Sequence, residues 1–306
     1  MKEKSNGCIG GFQRFSTEDG NGIRTTLFLK GCPLKCSWCH NPELISPNLS
    51  VLYNKKKCIL CGDCVKVCPS GALVMKKGQL RIDQSKCTGC GLCEEICCSG
   101  AIRLSGKKIS LPEIMTLFER DRTFYENTDG GITLSGGEIL FNPEFAYAIL
   151  LECVRKNIAV TLETSGFGNF ENLYILAKDS QNILYDLKMM DDEKHKKYVG
   201  VSNQRVLENL RKLANAKDIY EKILIRMPLI SGVNDCDVDI QKAINFLNIL
   251  QLKKIEILPY HSMGLSKSKE MGVKQKRFET PTDEKLLKIQ NDFINSGIQA
   301  KILGFE

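Results

Sequence analysis

The chain has 306 residues, 42% of them hydrophobic and 26% charged, with a formal net charge of +7. That balance belongs to a soluble globular protein of one large or two modest domains and excludes a fibrous or wholly disordered chain. The opening Met1-Lys-Glu-Lys-Ser-Asn6 has no apolar export signal, no stretch is long enough to span a bilayer, and the basic residues are scattered over segments such as Lys194–Lys197 and Lys267–Arg277. A cytoplasmic protein without a membrane or nucleic-acid partner is expected.

In chain order, an apolar strand is expected at Gly22–Lys30, followed by a cysteine-rich stretch and an interruption over residues 51–105. Further strands are expected at Gly131–Ser135, Ala159–Thr164, Ile183–Lys188, Ile223–Pro228 and Lys254–Leu258. Between and after them lie helical patterns at Pro143–Arg155, Asn203–Ala214, Asp239–Ile249 and Pro281–Asn295. Alternation of this kind implies an α/β fold on a parallel sheet, open or closed into a barrel. Without residues 51–105 the chain is close to the length of about 250 residues typical of a β/α barrel. The expected organisation is therefore a frame of residues 1–50 and 106–306, with residues 51–105 as an inserted domain.

Fifteen cysteines is a high count, and twelve of them fall between Cys32 and Cys98. Without an export signal, ligation of metal in a reducing compartment explains them better than disulfides. Residues 58–68 place Cys58, Cys61, Cys64 and Cys68 at C-x-x-C-x-x-C-x-x-x-C spacing. Residues 87–97 repeat it with Cys87, Cys90, Cys93 and Cys97. The echo of Ser70-Gly-Ala-Leu73 in Ser99-Gly-Ala-Ile102 marks an internal duplication. Structural zinc also uses C-x-x-C, but takes four ligands from two pairs, which fits this longer spacing poorly. The pattern resembles the bacterial two-cluster ferredoxin, in which the fourth cysteine of each run ligates the other run's 4Fe–4S cluster. That resemblance implies one set of Cys58, Cys61, Cys64 and Cys97 and another of Cys87, Cys90, Cys93 and Cys68. Cys98 replaces the proline expected after the last cysteine, so the choice between Cys97 and Cys98 stays open.

The remaining trio, Cys32, Cys36 and Cys39, offers three sulfurs to a cube of four irons and leaves one iron open to a substrate. It follows the first expected strand. The others end in Ser135-Gly-Gly-Glu138, Glu163-Thr-Ser-Gly166 and Asp186-Leu-Lys188, carry Arg226, or lead into Pro259-Tyr-His261. The C-terminal ends of strands are where β/α folds place their active sites. Asp186 and Lys188 alternate along a strand and so face one side. His195, within Asp191-Asp-Glu-Lys-His-Lys-Lys197, is expected on an exposed helical face, and Cys8, Cys153 and Cys236 are expected to be buried or incidental.

The cysteine trio followed by Gly136-Gly137-Glu138 resembles the radical S-adenosylmethionine (SAM) superfamily. Asp19-Gly-Asn-Gly-Ile-Arg24-Thr, Cys39-His-Asn-Pro-Glu43, Asp186-Leu-Lys188 and Leu258-Pro-Tyr-His261 narrow the likeness to the activating enzymes of glycyl radical enzymes. The insert resembles the branch that activates arylacetate decarboxylase, benzylsuccinate synthase, glycerol dehydratase and choline lyase. The resemblance implies a partial (β/α)6 barrel with an inserted two-cluster ferredoxin domain and three 4Fe–4S clusters. It also implies an anaerobic oxidoreductase that reductively cleaves SAM and takes hydrogen from a backbone glycine of a large glycyl radical enzyme. Its electron donor would be flavodoxin or ferredoxin.

By the same resemblance Trp38 lies against the adenine, His40 and Leu187 line the cofactor, and Gly136 and Gly137 hold the methionine amino group. Glu138 orients that loop, Asp186 and Lys188 meet a zwitterion and ribose, and His261 meets the nucleoside. A monovalent cation near Glu163 and Asp186 is a further implication. The rival readings are a radical SAM reaction on a small molecule and a multi-cluster electron carrier.

Overall fold

The computed structural model describes residues 5–304. Strands β1 (Asn6–Ser16) and β2 (Arg24–Leu29) pair antiparallel. The chain then crosses the cysteine trio and enters β3 (Val51–Tyr53), helix α1 (Asp63–Lys66), β4 (Leu73–Lys76), β5 (Gln79–Ile82), α2 (Leu92–Glu95) and β6 (Ile102–Leu104). It returns as β7 (Lys107–Ser110), antiparallel to the Asn6–Ile9 part of β1. Helices α3 (Leu111–Glu119) and α4 (Arg122–Glu126) follow. The alternating part then runs β8 (Gly131–Gly136), α5 (Pro143–Arg155), β9 (Val160–Thr164), α6 (Phe170–Asp179), β10 (Asn182–Asp186), α7 (Asp192–Val199) and α8 (Gln204–Ala214). It ends with β11 (Ile223–Leu229), α9 (Asp237–Ile249), β12 (Lys254–Pro259), α10 (Gly264–Met271), α11 (Asp283–Asn295) and β13 (Gln299–Ile302).

Nine strands form one sheet in the order β13-β12-β11-β10-β9-β8-β2-β1-β7. Every pairing from β2 to β13 is parallel. All six expected strands are present. The sequence reading missed three strands of this sheet: the short β13 and β7, reading Gln-Ala-Lys-Ile and Lys-Lys-Ile-Ser, and β1, whose three glycines and two register shifts disguise it.

Alternation along the strands decides what faces where. In β9 to β12, Leu162, Ile183, Tyr185, Ile225, Met227, Ile255 and Ile257 pack with the helices in one core. The residues between them, such as Glu163, Asp186, Arg226 and Glu256, turn to the other side. Helix α5 buries Phe145, Ala146, Ile149, Leu150 and Cys153, the spacing of a single helical face. Helix α3 starts at a capping box, with Glu113 accepting from the Ser110 amide at 2.8 Å.

Residues 51–105 build two small antiparallel sheets, β3–β6 and β4–β5. Their core of Val51, Ala72, Leu73, Leu80, Cys93 and Ile102 is packed against further cysteines. A core this small ordinarily needs metal or disulfides for support. At its root the buried Lys30 ammonium donates to the Glu43 carbonyl and to Ser105 Oγ at 3.1 Å, and Ser105 Oγ accepts from the Ser50 amide at 3.0 Å. Burial pushes Lys30 down to about 8. At its far side Asn54 and Arg103 donate to Glu270 of α10 at 3.2 and 2.8 Å.

Leu162 is fully buried at the centre of the sheet. Leu162→Ala is expected to cost about 2–5 kcal/mol of stability, read as a lowered denaturant midpoint by far-ultraviolet circular dichroism.

Candidate active site and cluster-binding sites

The C-terminal ends of the parallel strands open on one cavity of about 730 Å³. Cys32, Cys36 and Cys39 line it together with Trp38 and His40, the Gly136-Gly137-Glu138 turn, Glu163, Asp186, Lys188 and His261. Leu187 does not. It sits between two inward-facing residues, so its side chain turns outward and is buried in the main core, its amide donating to the Arg226 carbonyl at 2.8 Å.

The cysteine loop is held from several sides. The Gly31 and Cys32 amides donate to Leu44 and Ile45, and the Lys35 and Ser37 amides donate to Val199 and Tyr198 after β10. Gln275 donates to the Cys39 carbonyl at 2.8 Å, and a Cβ on Gly264 of α10 would stand 2.2 Å from that oxygen. Trp38 is 4% exposed and packs against Leu34, Met189, Tyr198, Tyr260 and Phe278 while reaching the cavity wall. His40 stacks on His261 with centroids 3.5 Å apart, and its Nε2 is buried without a partner. Burial, His261, Lys188 and Lys267 push His40 down to about 4. Burial also pushes the Cys32 and Cys39 thiols up to about 12 and raises Cys36, with Lys188 opposing at all three.

Gly136 and Gly137 bring the next turn against this loop. Gly136 has φ +125°, and a Cβ there would lie 2.2 Å from the Leu29 backbone; one on Gly137 would lie 2.3 Å from the Gly31 carbonyl oxygen. Glu138 anchors the turn: its carboxylate accepts from the Leu140 amide (3.2 Å), Thr164 Oγ1 (2.5 Å), and the Ser165 amide and hydroxyl (2.9 and 2.5 Å). Burial pushes this carboxyl up while the donors oppose it. All of its contacts are to neighbouring loops, which makes it a positioning group.

Asp186 and Lys188 both face inward, 2.7 Å apart. Burial alone would lower Lys188, but Asp186 and the nearby Cys36 and Cys32 outweigh it and raise it. Level with Asp186 on the neighbouring strand, Arg226 lies 3.0 Å from Glu163, 3.0 Å from Glu256 and 3.6 Å from Asp19, and donates to the Glu18 carbonyl. Burial would lower its guanidinium, but the carboxylates raise it. Burial raises Glu163, against the opposing charge of Arg226.

Sequence reading left Arg226 a minor residue, gave Asp19 no role and missed Glu256. The available signal was the strand alternation that sets Arg226 between Ile225 and Met227, and Glu256 between Ile255 and Ile257. His195 is corrected outright. It is 1% exposed rather than on a solvated face, with Nδ1 2.6 Å from the Val201 carbonyl oxygen, because it shares the buried side of α7 with Val199, one turn on.

In the insert, Cys58, Cys61, Cys64 and Cys97 line one small cavity and Cys68, Cys87, Cys90 and Cys93 another. The thiols stand around these spaces: among the described residues no three His, Cys, Asp or Glu side chains converge as a single ion requires. Cys68 and Cys97 hold matching positions. Burial would push each thiol up, but a serine hydroxyl (Ser70 at 3.6 Å, Ser99 at 3.7 Å) and three backbone amides outweigh it and favour the thiolate. Cys98 is exposed and lines neither cavity. Of the isolated cysteines, Cys153 is buried, Cys8 half-buried and Cys236 exposed.

The chain matches the radical SAM superfamily over residues 83–244, a 4Fe-4S dicluster domain over 57–101 and a 4Fe-4S single cluster domain over 18–63. A radical SAM methyltransferase from Sphaerobacter thermophilus shares the fold, with a TM-score of 0.57 at 15% identity over 96% of this chain and 76% of that one. The family match over residues 83–244, on this sheet, defines a radical SAM enzyme. Trans-4-hydroxy-L-proline dehydratase activating enzyme from Clostridioides difficile is 40% identical, covering 95% of this chain and 97% of its own. Choline trimethylamine-lyase activating enzyme from Oleidesulfovibrio alaskensis is 39% identical, covering 85% of each. The chain belongs to the activating enzymes of glycyl radical enzymes. It binds SAM and iron–sulfur clusters, cleaves SAM to a radical and activates a partner enzyme. Among the described residues no helix is long and apolar enough to cross a membrane.

Removing the Glu138 carboxylate strands four buried donors, each costing about 1–3 kcal/mol when unmet. Glu138→Ala is therefore expected to lower the melting temperature and weaken SAM binding together, with Glu138→Gln milder in both, by thermal scanning and equilibrium dialysis.

Proposed function

We propose that Cys32, Cys36 and Cys39 hold one 4Fe–4S cube whose fourth iron receives SAM, and that the insert carries two closed cubes. The observation that carries this is the convergence of three thiols, the Asp186–Lys188 pair and the glycine turn on one cavity. When bound, the cube supplies the electron that splits SAM into methionine and a 5′-deoxyadenosyl radical, which takes hydrogen from a backbone glycine of the partner. The residues present suit these groups. The glycine turn is bare of side chains, the buried His40 Nε2 lacks a partner, and Trp38 offers a flat apolar wall.

Lys188 and Asp186 present a cation and an anion side by side, matched to a carboxylate and an ammonium or ribose hydroxyls. Glu138 keeps the turn of Gly136 and Gly137 in place. A monovalent cation beside Glu163 and Asp186 would share its ground with Arg226 and Lys188, which already meet those carboxylates at 3.0 and 2.7 Å. In the insert, Cys58, Cys61, Cys64 and Cys97 would hold one cube and Cys87, Cys90, Cys93 and Cys68 the other. The thiolate-favouring surroundings of Cys97 support it over Cys98. The closed cubes relay electrons from a low-potential donor such as flavodoxin or ferredoxin. The parallel sheet, with β7 and β13 at its opposite ends, reads as a partial barrel built from residues 1–50 and 106–306 around the inserted 51–105.

Cys36→Ala is expected to lose one cube's worth of iron out of three and to yield no 5′-deoxyadenosine with dithionite and SAM. A variant that kept full turnover would sink the assignment. A glycyl doublet in electron paramagnetic resonance of a co-incubated partner separates activation from small-molecule chemistry. Cys97→Ser is expected to remove the signal of one insert cube while Cys98→Ser leaves both, and the reverse result would exchange the two ligands.

A further inference from the structure

The two halves of the insert share a cysteine spacing but differ in what surrounds it. Residues 59 and 60 of the first half correspond to 88 and 89 of the second, Ile-Leu against Thr-Gly. Leu60 and Gly89 adopt the same left-handed backbone, with φ 60° and 69°. That conformation suits glycine and is an outlier for a bulky side chain. In the second half the glycine is needed: a Cβ on Gly89 would lie 2.7 Å from Leu49, on the segment that joins the insert to the cysteine trio. Gln84 of the same half bonds the Val51 amide and carbonyl at 3.1 and 2.6 Å. At Gly89 this half packs against Leu49 of the frame.

The first half faces outward. Ile59 is 64% exposed, Leu60 48%, Ile96 46% and Met75 40%, and all four border the cavity of Cys58, Cys61, Cys64 and Cys97. Cys61 itself is exposed. Cys90 reaches the surface too, but beside Thr88 and one exposed apolar residue, Leu92 (42%), with the acidic pair Glu94-Glu95 following in sequence. Charge separates the halves in the same way. Lys55, Lys56 and Lys57 precede Cys58, where the second half has Gln84, Ser85 and Lys86. Lys66 stands where the second half has Glu95, and the strand bearing Met75 runs on into Lys76 and Lys77. The acid Asp63 is taken up by Lys66 at 2.8 Å.

We infer that the exposed apolar patch around Cys61, ringed by Lys55, Lys56, Lys57, Lys76 and Lys77, is the docking face for a small acidic protein that donates single electrons. The inference rests on the relay reading above and gives it a direction: in at the Cys58 end, across to the Cys87 end, then to the open cube. Each transfer oxidises the donor by one electron and reduces a cube by one, and no bond forms or breaks. Complementary charge steers such encounters and makes them sensitive to salt, and the apolar centre supplies the dry contact.

The test uses the full-length, anaerobically reconstituted chain and flavodoxin hydroquinone as probe, with cluster bleaching followed by stopped flow. Lys55→Glu with Lys56→Glu and Lys57→Glu is expected to slow reduction at low salt by about tenfold or more and to flatten its salt dependence. Dithionite-driven SAM cleavage and iron content are expected to match the parent. Lys107→Glu with Lys108→Glu, exposed lysines on β7, serves as the charge control and is expected to stay near parental rates. Leu60→Gly is expected to hold or gain thermal stability and still slow the flavodoxin reaction. Unchanged kinetics in the triple variant, or an equal loss in the control, would overturn the docking face. A parent chain that elutes as a dimer while the triple variant elutes as a monomer would assign the face to a second copy instead. Iron for a single cube in the parent would overturn the relay reading itself, before any donor is added.

Discussion

Arg226 stands where a strand, its neighbours and the loop before β2 would otherwise bring Glu163, Glu256 and Asp19 together without compensation. Leaving such half-buried anions unpaired is destabilising. One guanidinium held by three carboxylates and a carbonyl lets the inside of the sheet remain polar as the outside packs against helices. The polar lining beside it, Asp186 included, depends on that charge. Glu163 also accepts from Ser135, so the strand leading to the glycine turn is tied to the same charge. Asp19 accepts from Ser16 at 2.7 Å and Thr26 at 2.5 Å, which carries the network back to β1 and β2.

The cavity rim was largely legible in the sequence because its chemistry is dense and its residues are unusual types at strand ends. Cysteines at close spacing, paired glycines, and an anion and cation two residues apart each announce themselves locally. Arg226 and Glu256 were harder to see. Each sits inside a strand among isoleucines, and a charge there reads as surface unless the sheet is known to enclose a polar space. Leu187 went astray for the complementary reason. A motif names three consecutive residues, but the pleat turns the middle one away. His195 was hidden by composition, since a helix crowded with lysines and acids still keeps one buried stripe.

The strands followed the same division. All six expected strands match within about two residues, the expected Ile183–Lys188 ending earlier at Asp186, because each apolar run packs one face of the sheet against the helices. The two ends of the sheet escaped notice, β13 on one side and β1 with β7 on the other. β13 is too short for periodicity to register, and the glycines of β1 argue against a strand until a partner on each side holds it. The duplication of the insert was plain from spacing, whereas the unequal surroundings of its halves emerged only from which residues the frame covers.

Helix α10 touches both parts of the protein. Gly264 at its start lies against the Cys39 carbonyl, Lys267 meets Asn41 and Glu43 at 2.5 and 2.8 Å, and Glu270 near its end receives Asn54 and Arg103 from the insert. The insert looks portable on paper, a compact stretch that enters and leaves the frame at neighbouring points. Yet its acceptor is encoded more than a hundred residues downstream, on a helix that also braces the cysteine loop. A graft of residues 51–105 into another frame would leave Arg103 and Asn54 reaching for a carboxylate that the new host does not carry. Modularity in this chain ends at α10: the cassette and its distant helix must travel together.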